Sequence, residues 1–95
     1  MTDKLEADIE DAAVSWAKSR GWLAVKMTPH GQTGWPDRLF VWTCGIHVWI
    51  EFKAPGEVPR KLQMYRIKKL RERAVNAHWC DTLEQAKTLL KFYEV

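Results

Sequence analysis

The stretch "GWPDRLFVWTCGIHVWIEFKAPG", residues 34–56, decides how this chain folds. It holds two runs rich in Val, Ile, Phe and Trp, residues 37–43 and 46–53, parted by Cys44 and Gly45. Two β-rich runs separated by a short glycine-containing break read as the antiparallel strands of a hairpin. Yet the first run opens on Asp37 and the second ends on Glu51, Phe52 and Lys53. Charge is costly inside a sheet, so these residues occupy either solvated strand ends or a site of chemistry. Side chains alternate across a strand, which puts His47, Trp49, Glu51 and Lys53 on one face and Ile46, Val48, Ile50 and Phe52 on the other. A turn at residues 44 and 45 sets the start of the first strand beside the end of the second. Asp37 then pairs roughly with Glu51 to Lys53, and three charges meet at one corner of the sheet.

Outward from the hairpin, the pattern changes period. Leu5, Ile9, Ala12 and Trp16 recur at helical spacing over residues 3–20, and Gly21 ends the run. Residues 22–29 fit a strand stopped by Pro29, and residues 30–36 form a loop by their glycines and proline. After the break at residues 54–59, Pro59 suits the first turn of a second helix whose stripe is Gln63, Ile67, Leu70 and Ala74. Residues 77–80 make a short strand, and Thr82 with Gln85 reads as a capping box for a last helix bearing Leu83, Ala86, Leu90 and Tyr93. The order α-β-β-β-α-β-α predicts an α/β sandwich with a mixed sheet, since a strand after the second helix returns parallel to its neighbour.

Ninety-five residues allow one domain spanning 1–95, with one core. A 46% hydrophobic and 28% charged composition argues against disorder. No apolar run approaches the ~20 residues of a membrane span, and the acidic N-terminus does not read as a signal peptide, so the expected compartment is the cytoplasm. Cys44 and Cys80 are too few for a disulfide framework and are expected to be free thiols. The net charge is +3, but residues 60–73 carry seven basic residues against one acid, a charge run compatible with a solvated helix face or with nucleic acid.

The corner charges are the sharpest signal. Adjacent carboxylates raise each other's pKa unless a positive group intervenes. A structural design avoids that, whereas a divalent-cation site is built from it. Mg²⁺ takes one or two carboxylates and leaves its remaining positions to water and phosphate. A lysine on the same face can place a water or offset charge developing on a phosphate. A surface Glu-Lys pair explains E-x-K alone; it leaves unexplained the G-x-P-D motif fourteen residues earlier, across a hairpin.

Gly34-x-Pro36-Asp37, Glu51-x-Lys53, Ala54-Pro55-Gly56 and Gln63 at the head of the second helix together resemble the VRR-NUC (virus-type replication-repair nuclease) branch of the PD-(D/E)xK nuclease superfamily. The likeness covers about residues 5 to 80 and is greatest to the small stand-alone members of phages and bacteria. It implies a restriction-endonuclease-like α-β-β-β-α-β core, here with an extra C-terminal helix, and a Mg²⁺- or Mn²⁺-dependent DNA endonuclease. By resemblance, Asp37 and Glu51 are metal ligands, Lys53 the catalytic lysine and Gln63 a supporting residue. The family also expects a glutamate from the first helix. Glu6 and Glu10 head a stripe continued by Ala13 and Ala17, whose small side chains let that face approach the sheet. Spacing back from Gly21 is similar to archaeal junction resolvases if Glu10 serves and to other VRR-type sequences if Glu6 does; the expectation falls on Glu10, as a third metal ligand, with Glu6 as the alternative.

The implied substrate is DNA, most naturally branched DNA such as a Holliday junction, in a bacterial or phage-infected cell. A non-catalytic DNA-binding module and a sequence-specific restriction-type endonuclease are the rival readings. Lys61, Arg66, Lys68, Lys69 and Arg73 fall away from the apolar stripe of the second helix and form a candidate phosphate track. His30 and Trp35, in the loop before Asp37, are candidate DNA contacts, Trp35 by stacking or by packing. Trp16, Trp42 and Trp49 are expected in the core. Both faces of the hairpin are apolar; the first two helices are expected to cover one face and the short last helix only part of the other, so a homodimer is expected to bury the remainder.

Overall fold

A computed structural model describes residues 2–29 and 31–95. The elements run α1 (Thr2–Ser19), β1 (Leu23–Lys26), β2 (Arg38–Val41), β3 (His47–Phe52), α2 (Lys61–Glu72), β4 (Asn76–Cys80) and α3 (Leu83–Tyr93), in the order read from the sequence. The four strands form one mixed sheet in the order β1-β2-β3-β4. The first three are antiparallel, and β4 returns parallel to β3 through α2.

The hairpin is looser than a two-residue turn. Thr43–Gly45 forms a single 3-10 turn between β2 and β3, with the Trp42 N–H donating to the Ile46 carbonyl at 2.8 Å. Cys44 (φ 62°) and Gly45 (φ 73°) both take left-handed backbone, which glycine accepts readily and cysteine does not. The register pairs Arg38 with Ile50, so one step further Asp37 lies across from Glu51. That step puts both carboxylates at one end of the sheet.

One face of the sheet carries Phe40, Val48, Ile50, Phe52 and Cys80, all buried against Ala13 and Ala17 of α1 and Ala86 and Leu90 of α3. Trp22, just ahead of β1, meets Phe40 edge-on at 6.5 Å and donates from Nε1 to Glu94 Oε2 at 2.9 Å, tying the end of the chain to this core. The alanines on α1 explain the arrangement: with no bulk there, the helix lies low enough to share the face with α3. The expectation that α1 and α2 share a face is therefore corrected. α1 packs on α3, while α2 lines the opposite face, chiefly along β4. On that second face the β1 end is open, with Leu23 66% and Val25 46% exposed beside Leu39 and Val41.

Several smaller expectations also shift. Leu5 is 51% exposed, because the buried stripe of α1 is Glu10, Ala13 and Ala17 rather than the row through Leu5. Ala74 lies past the end of α2 at φ 62°, where the Val75 N–H closes back on the Leu70 carbonyl at 3.0 Å, the position glycine usually fills. Pro59 stands one residue before the N-cap, Arg60. Thr82 caps α3 by accepting from the Gln85 N–H, and Gln85 Oε1 reaches the Asp81 N–H instead of closing the box on Thr82. Trp16, Trp42 and Trp49 are half-buried at the margin, and Trp22 is the core tryptophan. Cys44 and Cys80 are free. Among the described residues no helix is long and apolar enough to cross a membrane.

Candidate active site

The site forms where the 31–36 loop, the end of β3 and the starts of α1 and α2 converge. Gly34 (φ 84°) presses on α2 so closely that a Cβ there would sit 2.6 Å from Leu62 Cγ. Pro36 behind it is fully buried, and the Asp37 carbonyl accepts from the Met27 N–H at 2.7 Å. The G-x-P-D motif thus has a mechanical reading: only glycine fits the approach, proline fixes the exit, and β1 anchors the backbone that presents Asp37.

Glu6, Asp37 and Glu51 each bring a carboxylate oxygen within 4.8 Å of the other two. Glu51 is the buried member at 2% exposure. Its Oε2 accepts from Gln63 Nε2 at 2.9 Å and lies 3.6 Å from Lys53 Nζ. Its Oε1 is buried without any hydrogen-bond partner. Burial, then the neighbouring Asp37 charge, pushes the Glu51 carboxyl up to about 7 against the partial relief from Lys53. Burial likewise raises Asp37, with Glu10 adding to the effect. Gln63 is held for its task from the other end, since its Oε1 accepts from the Arg60 N–H at 2.8 Å. One amide therefore starts α2 and aims Glu51. A cavity of about 360 Å³ opens onto the acids, Lys53, Gln63 and also Arg60 and Glu57. The last two were not singled out from the sequence; the only available signal was their place in the turn between Lys53 and Gln63.

Glu10, the expected third ligand, stands outside this cluster. It is buried, but its Oε2 accepts from Lys26 Nζ at 2.9 Å and Arg38 Nε at 2.6 Å. Burial raises its pKa, yet these two cations outweigh that and hold the carboxyl below its ordinary value. Glu6, one turn earlier, is the α1 residue that joins Asp37 and Glu51.

The donor set suits a hard divalent cation. Three carboxylates crowd together, one keeps an unused buried oxygen, and burial together with a neighbouring acid raises the pKa of two of them despite the cations nearby. Of the candidate DNA contacts, Arg66, Lys69 and Arg73 face the Trp35 loop around a second cavity, whereas Lys61 and Lys68 do not line it. His30 lies outside the described residues.

No family model matches the chain. A relative described as "Putative nuclease p44", from Acyrthosiphon pisum secondary endosymbiont phage 1, is 39% identical over 59 residues, covering 62% of this chain. The match spans 63% of that protein's length. A solved structure described as "VRR_NUC domain" superposes with a TM-score of 0.84 at 24% identity, over 93% of this chain and 96% of that one. A superposition of that extent makes the mixed sheet and flanking helices of this chain the VRR_NUC fold.

Proposed function

We propose that the chain, as one nuclease domain over residues 1–95, is a divalent-metal-dependent deoxyribonuclease hydrolysing phosphodiester bonds. The observation that carries the reading is Glu51: a buried carboxylate kept half-unsatisfied beside two further acids. Glu6, Asp37 and Glu51 would hold Mg²⁺ or Mn²⁺. When bound, the cation supplies Lewis-acid polarisation of the scissile phosphate and a more acidic water. In the reaction the oxygen of water bonds to phosphorus and one P–O ester bond breaks, leaving a phosphate monoester and a hydroxyl end. Lys53 stands beside Glu51, where its ammonium orients the water and offsets charge growing on the phosphate. Gln63 is a positioning residue that fixes the Glu51 rotamer. The similarity to a phage nuclease and the VRR_NUC fold both favour this chemistry over a non-catalytic DNA-binding role.

The proposed substrate is branched DNA such as a four-way junction, in the cytoplasm of a bacterial or phage-infected cell; this rests on the motif resemblance. The proposed assembly is a homodimer burying the open β1 end of the α2 face, where Leu23 and Val25 are exposed. Purified protein with Mg²⁺ or Mn²⁺, tested on linear, flap, splayed and four-way DNA, decides both activity and preference. Cleavage blocked by EDTA and by Asp37→Asn is expected, and metal-independent or absent cleavage refutes the reading. Sedimentation equilibrium giving a mass near 11 kDa, unchanged by DNA, refutes the dimer.

A further inference from the structure

A second cavity, of about 320 Å³, lies between the 31–36 loop and the outer side of α2, lined by Trp35, Tyr65, Arg66, Lys69, Leu70 and Arg73. Its size falls within the ~300–1,000 Å³ typical of small-ligand sites. Its walls are flat and cationic. The Arg66 guanidinium stacks over the Trp35 ring at 4.8 Å, and Lys69 Nζ is 5.5 Å from the centre of the half-exposed Tyr65 ring. Trp35 is fixed in place by its Nε1 donating to Gln32 Oε1 at 2.8 Å, and Arg66 Nε donates to the Thr33 carbonyl at 3.3 Å. Gly34 seats the loop on Leu62 between these contacts. The wall is therefore formed before any ligand arrives, which lowers the ordering cost of binding.

We propose that this cavity is a subsite for one unpaired base of a DNA strand, stacked among Trp35, Arg66 and Tyr65, with its flanking phosphates on Lys69 and Arg73. Aromatic faces give sequence-tolerant stacking and the cations track the backbone, the combination that single-strand binding requires. A peptide or small acid would use the charges and leave the two rings without purpose. The choice of DNA as ligand rests on the nuclease reading. Trp35 is two residues from Asp37, so the captured nucleotide lies on the same loop that presents the acid. The subsite would thus select strands with a base free to leave its stack, the property that junctions and flaps share. It also divides the basic residues of α2: Lys69 and Arg73 belong to the cavity, and Lys61 and Lys68 to a different face.

The test is binding of the full chain, in EDTA, to a fluorescent oligothymidylate and to an abasic strand of the same length and charge, read by anisotropy. Wild type is expected to bind the thymidine strand roughly ten-fold tighter. Tyr65→Ala, at a half-exposed position, and Trp35→Ala should each shrink that ratio several-fold. Lys68→Glu should weaken both strands alike and keep the ratio. Equal binding of the two strands by wild type, or a ratio unchanged in the Tyr65→Ala/Trp35→Ala double variant, overturns the subsite. Thermal melts of each variant separate loss of stacking from loss of fold. A parallel cleavage assay with Mg²⁺ keeps the two readings apart. Base preference without cleavage retains the subsite and discards the nuclease; cleavage without base preference does the reverse.

Discussion

Glu10 and Glu51 are both buried carboxylates near the same end of the sheet, and their surroundings differ in kind. Glu10 meets two cations on one oxygen, and its pKa falls despite burial. Glu51 meets one amide, a lysine at 3.6 Å and two further acids, and its pKa climbs to about 7. A protein needing only to bury a carboxylate has a solution in the Glu10 clamp, and this chain uses it within the same few turns. Leaving Glu51 unsatisfied is thus a cost accepted for something else. Strain and unmet charge of this kind gather at functional sites.

The largest expected effect tests that division directly. Glu51→Gln and Asp37→Asn should reduce Mg²⁺-dependent cleavage to background while DNA binding persists. Glu6→Gln should cost more activity than Glu10→Gln; the opposite ranking would return Glu10 to the metal and dissolve the comparison. Next comes Lys53→Ala, expected to lower turnover by a factor on the order of 10² with little change in metal affinity. Near wild-type turnover would make Lys53 merely the counterion of Glu51.

How far these placements could be read in advance follows from which interactions decide them. Asp37, Glu51 and Lys53 were legible because strand alternation and hairpin register are local rules, and the observed register sets Asp37 across from Glu51. Gln63 was legible as a polar residue heading an apolar stripe. Glu6 and Glu10 were not separable, since residues four apart share one helix face. The choice was made by Lys26 and Arg38, on strands that α1 meets only after folding. The face that α2 covers was hidden for the same reason: it depends on Ala13 and Ala17 bringing α1 down beside α3. Trp22 was not singled out for the core: the sequence read it as the first residue of a strand, whereas it stands just ahead of β1, outside the alternation that would assign its face.

Stability should separate the two glutamates in opposite directions. Glu10→Gln leaves Arg38 and Lys26 without their anion and should cost about 2 kcal/mol, less than a fully buried pair because Lys26 is half-exposed. Glu51→Gln removes a repelled charge and should raise the metal-free melting temperature above pH 7. Chemical denaturation of both variants in EDTA checks the signs, and a destabilised Glu51→Gln would place Glu51 among the structural carboxylates.

The smallest effect is a difference in pH slope. The folded pKa of Glu51 is raised from 4.5 to about 7, so its stabilising contribution is complete below 4.5 and is lost as pH rises through 7. Glu10 works the other way: its contribution is present above 4.5 and disappears only as pH falls through its lowered folded value. Between pH 5.5 and 7.5, then, Glu51 titrates and Glu10 does not. His78 contributes as well: burial and Arg71 lower its pKa below the ordinary 6.5, which makes stability rise with pH up to that value. The raw slope mixes the two, so the informative quantity is wild type minus Glu51→Gln. That difference should fall by on the order of 1–2 kcal/mol across the window in EDTA. The same subtraction with Glu10→Gln should be flat. Saturating Mg²⁺ should abolish the Glu51 slope, because a cation bound to the native state favours the ionised carboxylate and stabilises most where protons compete least. A slope that survives Mg²⁺ unchanged would mean that the cation does not reach Glu51, and the acid cluster would lose its proposed purpose.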